Sequence, residues 1–547
     1  MYTRFMSIPP ENAELLDRYK IADATVEIFQ IPGKTRKLYH IVPQEFRLGD
    51  DEYVLLDTAR RYLGKHEPRQ AELLEPERMR DNLYRIGLDM LRDIAKSDEI
   101  DLSERRLQEL GNILTRYTAG LGTLELLLQD DNIQDITINS PVGFAPIYIY
   151  HGTHSECETN LIPTKEDAES WATRFRLLSG RPLDEANPVL DTELNVPGGR
   201  ARVAAITRTL SPDGLGFALR RHRDKPWTFP LFIRTGMFDS FSAGLLWFIL
   251  DGARTILIAG TRSSGKTSFL GSLMVQIMPH IRIVTVEDTL ELPVEALRKL
   301  GYNIERLKSR SVITRVETEL PAEEALRTAL RLGDSALIVG EVRSKEALAL
   351  YEAMRIGALA NVVAGTIHGE SAYGVFDRVV NDLGVPATSF KATDIVLIAN
   401  MLRSPDGLHS FRRVVELTEV RKHWKSDPAE EGGFVNLLEY SAKDDILKPS
   451  KTLLTGESTV LNDIASRVRD WKGSWDAVWD NVNLRAKILQ TVTDSGKAKP
   501  DLLEATSVIA SNSMFHLISD DVKKEVGSLD SKMIYERWND WYKKAFL

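Results

Sequence analysis

The sequence predicts an α/β protein built on a mostly parallel sheet, and three observations carry that prediction. The apolar run Thr255-Ile256-Leu257-Ile258-Ala259 reads as a buried strand. It runs into Gly260-Thr261-Arg262-Ser263-Ser264-Gly265-Lys266-Thr267, which fits G-x-x-x-x-G-K-[ST] at every fixed position. Ser268 to Met278 then reads as a helix, with apolar Phe269, Leu270, Leu273 and Met274. Two later apolar runs, Ile281 to Val286 and Ala336 to Val339, each lead into acidic residues. In a doubly wound sheet the carboxyl ends of the strands face the ligand crevice.

Taken in order, residues 1–75 mix strand-like runs (Ala24 to Ile31, Lys37 to Val42) with charged, proline-containing connectors. Residues 77–98 read as a helix, because Met79, Leu83, Ile86, Met90 and Ile94 recur at helical spacing. A second helix spans about Ser103 to Tyr117. Residues 1–117 are therefore expected to form an N-terminal accessory module. From 118 to 225 strands alternate with a helix that Thr164 and Asp167 open as a capping box and Gly180-Arg181-Pro182 closes. This stretch reads as an α/β domain. Lys225 to Pro230 reads as a linker, and 231–420 as the domain that carries the glycine loop. After a polar stretch, residues 434–547 read as a mostly helical extension. Within it Trp471, Trp475 and Trp479 recur at i, i+4, i+8, one face of a helix, which reads as a buried packing stripe with a partner-docking face as the alternative.

Composition bounds the function. At 547 residues the chain exceeds one core and points to three or more domains. Hydrophobic content of 43% and charged content of 27% describe an ordinary globular protein. A formal net charge of −9 argues against bulk nucleic-acid binding. The only cysteine, Cys157, rules out an intramolecular disulfide and a cysteine-based metal cluster. No apolar run approaches the roughly 18 residues of a membrane span, and Met1 to Met6 does not read as a signal peptide.

The chemistry concentrates at the carboxyl ends of the expected strands. The glycines let backbone N–H groups converge on phosphate, and the helix N-terminus adds partial positive charge. Lys266 is placed to reach the β- and γ-phosphates of a nucleotide, and the Thr267 hydroxyl to ligate Mg²⁺. The acidic end Glu287-Asp288-Thr289-Leu290-Glu291 can orient a water or hold Mg²⁺ through water, with Asp288 as a metal candidate. Glu341, after Ala336-Leu337-Ile338-Val339-Gly340, can hold metal or water opposite the γ-phosphate. His368, in Gly365-Thr366-Ile367-His368-Gly369-Glu370, can sense that phosphate. Arg200, Arg202, Arg208, Arg220 and Arg221 precede the loop, and Arg327, Arg331 and Arg343 flank the Glu341 strand. Guanidinium groups bind phosphate bidentately and can act across a subunit boundary.

In their order these motifs resemble the secretion ATPase superfamily, whose members power type II secretion, type IV pili, archaeal pili and archaella, and type IV transfer. The resemblance runs from about 118 to 415. It rests on the lead-in from Gly120 to Thr137, the Walker A loop and an aspartate box at Thr285 to Glu291. A Walker B signature, Gly340-Glu341-Val342-Arg343-Ser344-Lys345-Glu346-Ala347, and a histidine box ending at His368 complete it. The archaeal branch is the most similar in layout. The resemblance implies a RecA-like P-loop ATPase domain preceded by a smaller, PAS-like α/β domain. It implies a homo-hexamer with ATP and Mg²⁺ as cofactors. Residues Gly260 to Ser268 would bind nucleotide together with Arg202 and Arg220. Glu287, Glu341, Glu291 and His368 would form the catalytic set, and Thr267, Glu341 and Asp288 would hold metal. A polytopic membrane platform protein and, indirectly, pilin-like or secreted substrates are the implied partners. The implied location is cytoplasmic, on the inner face of the membrane. One departure is that Gly357 is followed by Ala358 where the family often has histidine, which leaves His368 alone. The tail after 420 lies outside the match.

The alternative is a nucleic-acid-translocating P-loop ATPase. It lacks support, because no basic run with interleaved aromatics accompanies the negative charge. A nucleotide-gated scaffold without turnover is opposed by the two well-placed glutamates.

Overall fold

The computed structural model describes residues 3–63, 76–223, 225–309, 320–333, 335–356, 362–407 and 409–547, with the side chains of 76–78 and 356 left aside. The chain folds into two compact units, Met1–Arg223 and Asp224–Leu547. No helix among the described residues is long and apolar enough to cross a membrane.

The first unit is organised by a nine-stranded sheet. Its strands run, edge to edge, Glu14–Ile21, Ala24–Gln30, Lys37–Val42, Ser155–Thr159, Tyr148–His151, Ile133–Ile138, Gly216–His222, Gly199–Ile206 and Val189–Val196. All neighbours are antiparallel except Lys37–Val42, which lies parallel to Ser155–Thr159. The sequence suggested a boundary near 117, yet strands from either side of it share this one sheet. A buried cluster secures the join. The Tyr19 and Tyr39 hydroxyls both donate to Asp130 Oδ2, at 2.7 and 2.8 Å. The helix Lys165–Ser179 begins with the expected capping box and ends at Gly180, whose φ of 64° is left-handed. It buries Trp171 and Phe175 edge-on against Phe217. Helices Asp50–Leu63, Pro76–Ser97 and Glu104–Thr118 share a smaller core of leucines. Arg116 ties them to the sheet side by donating to Glu45 and Asp23.

The second unit holds another nine-stranded sheet. Its order is Ile304–Lys308, Ile283–Glu287, Ala336–Val339, Val363–His368, Thr255–Gly260, Ile395–Arg403, Ser410–Val420, Phe434–Ser441 and Ile446–Pro449. The first six strands are parallel and the last three antiparallel. The glycine-loop strand is thus interior, and the fold class is α/β with a RecA-like P-loop unit, as expected. The sheet does not stop near 420: Phe434–Ser441 and Ile446–Pro449 extend it, because their apolar residues Leu437, Leu438 and Leu447 complete the same core.

The C-terminal helices join that core. Helix Ser240–Asp251 is apolar all round, the mark of a helix buried on every side. It packs against helix Trp475–Ser495 closely enough that a Cβ on Gly244 would lie 2.7 Å from Ala486 N and Val482 O. Arg485 pairs with Asp251, its guanidinium 4.8 Å from the ring centres of Trp247 and Phe515. The tryptophan spacing has a different origin from one helical face. Ser474 caps the helix, so Trp471 lies ahead of it. Even so, Trp471 packs on Phe248 and Trp479 on Phe241, with centroids 4.9 and 5.0 Å apart, so the residues serve packing.

Candidate active site

The carboxyl ends of four parallel strands meet along one sheet edge. Gly260 lies level with His368 on one side and with Ala399 on the other. Val339 is level with Gly365 and with Val286, so Glu341 and Glu287 reach the same edge. Cross-strand bonds fix this alignment. Gly340 N–H donates to Val286 O at 2.9 Å, and Val342 N–H to Thr366 O at 2.8 Å. The Thr366 hydroxyl donates back to Gly340 O.

The loop between Gly260 and Lys266 is shaped by close approach. A Cβ on Gly260 would stand 1.8 Å from the Ala399 carbonyl oxygen, so only glycine fits. Gly265, at φ 91°, turns the chain into helix Lys266–Gln276. Lys266 Nζ donates to Gly260 O at 3.1 Å and to Thr261 O at 2.8 Å, folding over the loop it serves. The Ser264 hydroxyl is fully buried and lacks a hydrogen-bond partner. Arg262 and Ser263 are exposed, while Thr267 and Ser268 are half-buried at the start of the helix.

Glu287 is almost completely buried. Its Oε1 accepts from Glu291 N–H at 2.9 Å and Leu292 N–H at 2.8 Å, so it organises the turn that carries Glu291. Its Oε2 has no hydrogen-bond partner and lies 3.6 Å from Arg306 Nε. Burial pushes this carboxyl up to about 7. Gly340 makes room for it, because a Cβ there would stand 3.1 Å from Glu287 Cγ.

Arg343 links the two acidic strand ends, donating to Asp288 Oδ2 at 2.7 Å and to Glu341 Oε2 at 2.5 Å. The other Glu341 oxygen lies 3.1 Å from His368 Nε2. Burial raises the Glu341 pKa, but the hydrogen bond and charge of Arg343, with His368 and Lys266, hold it below the ordinary carboxylate range. Burial, and then the charge of Lys266, lower the His368 pKa against the opposing pull of Glu341.

The structure therefore brings together Gly260 to Ser268, Glu287, Asp288, Glu291, Glu341 and His368. Arg202 and Arg220 belong to the first unit, where they pair with Asp191 and Asp135. Arg221 is buried and donates to Leu128 O at 2.7 Å, a structural role. Arg327, on the exposed face of its helix, pairs with Glu323 one turn earlier. Gly357 and Ala358 lie outside the described residues. Asn400, whose Oδ1 accepts from Thr261 N–H at 3.4 Å, and Arg412, whose Nε–H donates to Ser263 O at 2.9 Å, touch the loop without any motif to mark them.

The residues fit a Mg²⁺-nucleotide. The glycine cradle, the convergent lysine and the partnerless buried Ser264 hydroxyl suit phosphate oxygens. Among the described residues no three His, Cys, Asp or Glu side chains are placed to enclose a metal.

The chain is similar to several known proteins. Residues 163–431 match the family described as Type II/IV secretion system protein. An uncharacterized protein of Methanocaldococcus jannaschii is 29% identical over 386 residues, 69% of this chain and 65% of that protein. Protein VirB11 of Agrobacterium fabrum is 29% identical over 184 residues, 33% of this chain and 51% of that one. The chain thus spans about two thirds of the first relative and half of the second. The X-ray structure of the Legionella pneumophila ATPase DotB is similar with a TM-score of 0.38 and 17% identity, over 55% of this chain and 80% of that one.

Proposed function

We propose that this chain, which carries a type II/IV secretion system ATPase domain, is a hexameric ATP-hydrolysing motor. In this reading it powers secretion or filament assembly through a membrane-embedded machine of the type II secretion, type IV pilus, archaeal pilus or archaellum kind. The observation that supports the reading is a P-loop lysine sharing one sheet edge with two strand-end carboxylates and a histidine.

Bound ATP with Mg²⁺ supplies the anhydride bond whose hydrolysis drives the machine. Lys266 exchanges its loop carbonyls for the β- and γ-phosphates, and the N–H groups of the loop cradle them. Thr267, with Glu341 and Asp288 directly or through water, would hold Mg²⁺, which would neutralise charge on the phosphates, and Arg343 would share the two carboxylates with it. Glu341 orients the attacking water, with Glu291 on the turn that Glu287 fixes. His368 lies against Glu341 and reads the loss of the γ-phosphate. Arg202 and Arg220, released from Asp191 and Asp135, supply phosphate contacts across a subunit boundary. The partner is a polytopic platform protein, with pilin-like or secreted substrates acted on indirectly. The motor works in the cytoplasm on the inner face of the membrane.

ATPase assays with and without single-stranded DNA, combined with light scattering in the presence of nucleotide, test it. Hydrolysis indifferent to DNA, from particles of six chains, is expected. DNA-stimulated turnover, or full turnover from monomers, overturns the motor reading.

A further inference from the structure

We infer that Arg412 is a positioning residue for the nucleotide loop, holding its tip in the shape that phosphate binding needs; this rests on the nucleotide-binding reading above. Ser263 stands at the tip with φ 64°, a left-handed conformation that non-glycine residues adopt rarely and only with support. The support comes from a strand about 150 positions later. Arg412 Nε–H donates to the Ser263 carbonyl at 2.9 Å. The stem of the same side chain lies along the loop, since a Cβ on Gly265 would meet Arg412 Cδ at 3.4 Å. The hydrogen bond fixes the residue two before Gly265, and the stem covers Gly265 itself, so one side chain braces the segment that turns into the P-loop helix.

The strand on either side of Arg412 is itself held. Its neighbour Arg413 donates to both carboxylate oxygens of Asp445, each at 2.7 Å, and Tyr440 donates to the same carboxylate at 2.7 Å. Val414 N–H donates to Met237 O at 2.8 Å, and Met237 Cε lies 3.9 Å from the Cβ position of Gly265. Strand Ile395–Arg403, the partner of Ser410–Val420, adds the Asn400 contact to Thr261 N–H. Strands Ile395–Arg403 and Ser410–Val420 thus grip the loop at Thr261 and Ser263. A loop held before the ligand arrives binds it with less ordering entropy to lose, so the effect falls on affinity rather than on the chemical step.

The test is equilibrium binding of a fluorescent ATP analogue to the full chain, together with steady-state hydrolysis and melting temperature. The variants are Arg412→Met, which keeps the stem and removes the donor, and Arg412→Lys, which keeps a donor. Arg412→Met is expected to weaken binding about tenfold and raise KM in proportion, with kcat within about twofold of wild type and an unchanged melting temperature. Arg412→Lys should recover part of the affinity. Met-variant affinity within twofold of wild type overturns the inference. So does an affinity loss that follows a fall in melting temperature, or a Lys variant no better than Met. If the wild-type chain itself fails to bind the analogue, or Lys266→Ala binds it equally well, the nucleotide reading fails instead.

Discussion

Replacing Glu287 by glutamine should change how stability responds to pH. The carboxyl is buried and raised from 4.5 to about 7, chiefly by burial. The folded protein keeps this proton up to about pH 7, whereas the unfolded chain releases it near 4.5. Between those values the folded state binds more protons, so stability falls as pH rises and the loss is complete above about 7. At about 1.4 kcal/mol per unit of pKa difference, the loss is about 3 kcal/mol. Glutamine stays neutral and keeps an oxygen for the N–H groups of Glu291 and Leu292. Its amide does not titrate, so whatever it contributes beside Arg306 is the same at every pH and adds nothing to the mutant's slope. Melting temperatures of wild type and Glu287→Gln at pH 5 and pH 8 therefore decide the matter. Wild type should lose roughly 5 °C more than the mutant over this interval for a unit of this size. Parallel pH profiles would refute the buried, proton-holding carboxyl and the fixed turn derived from it.

Three further substitutions probe the fold around the site. Gly260→Ala drives a Cβ to within 1.8 Å of the Ala399 carbonyl oxygen, so nucleotide binding should vanish and the circular-dichroism melt should shift down, and a mutant that binds normally would contradict the loop geometry. Gly244→Leu forces the helix pair 240–251 and 475–495 apart and should destabilise by roughly 4 kcal/mol or more, measured by chemical denaturation. Arg485→Met leaves Asp251 without its guanidinium partner, which should cost about 3 kcal/mol in the same assay, and an unchanged midpoint would separate the C-terminal helices from the P-loop core.

Much of the second unit's site was legible because its signals are local. Strand, glycine loop and helix are contiguous from 255 to 278, and each acidic strand end announces itself by an apolar run meeting a carboxylate. The capping box at Thr164 and Asp167 is likewise a short-range pattern, and the structure contains it. What stayed hidden depends on contacts distant in sequence. Nothing near Arg412 or Asn400 signals that they brace a loop some 140 residues earlier. Nothing in Lys37–Val42 signals a parallel pairing with Ser155–Thr159. The C-terminal helices read as a separate extension because amphipathic spacing states that a face is buried, without stating what buries it; Gly244, Asp251 and Arg485 supply the answer only in three dimensions. The division of labour between acids was equally invisible. Glu287 and Glu341 look alike at strand ends, but one is pinned to backbone N–H groups and pushed up to about 7 by burial while Arg343 holds the other below the usual carboxylate range.

The most direct measurement of the central claim pairs ATP hydrolysis with ATP binding in the purified full chain, in wild type, Lys266→Ala and Glu341→Gln, with Mg²⁺ present. Wild type should bind and turn over. Glu341→Gln should bind with near-normal affinity and hydrolyse at least about 100-fold more slowly, because the amide keeps the shape and loses the charge that orients metal and water. Lys266→Ala should lose both, since the lysine is the cation at the phosphate loop. Hydrolysis by folded Lys266→Ala at the wild-type rate, or Glu341→Gln within about twofold of wild type, would contradict catalysis at this sheet edge.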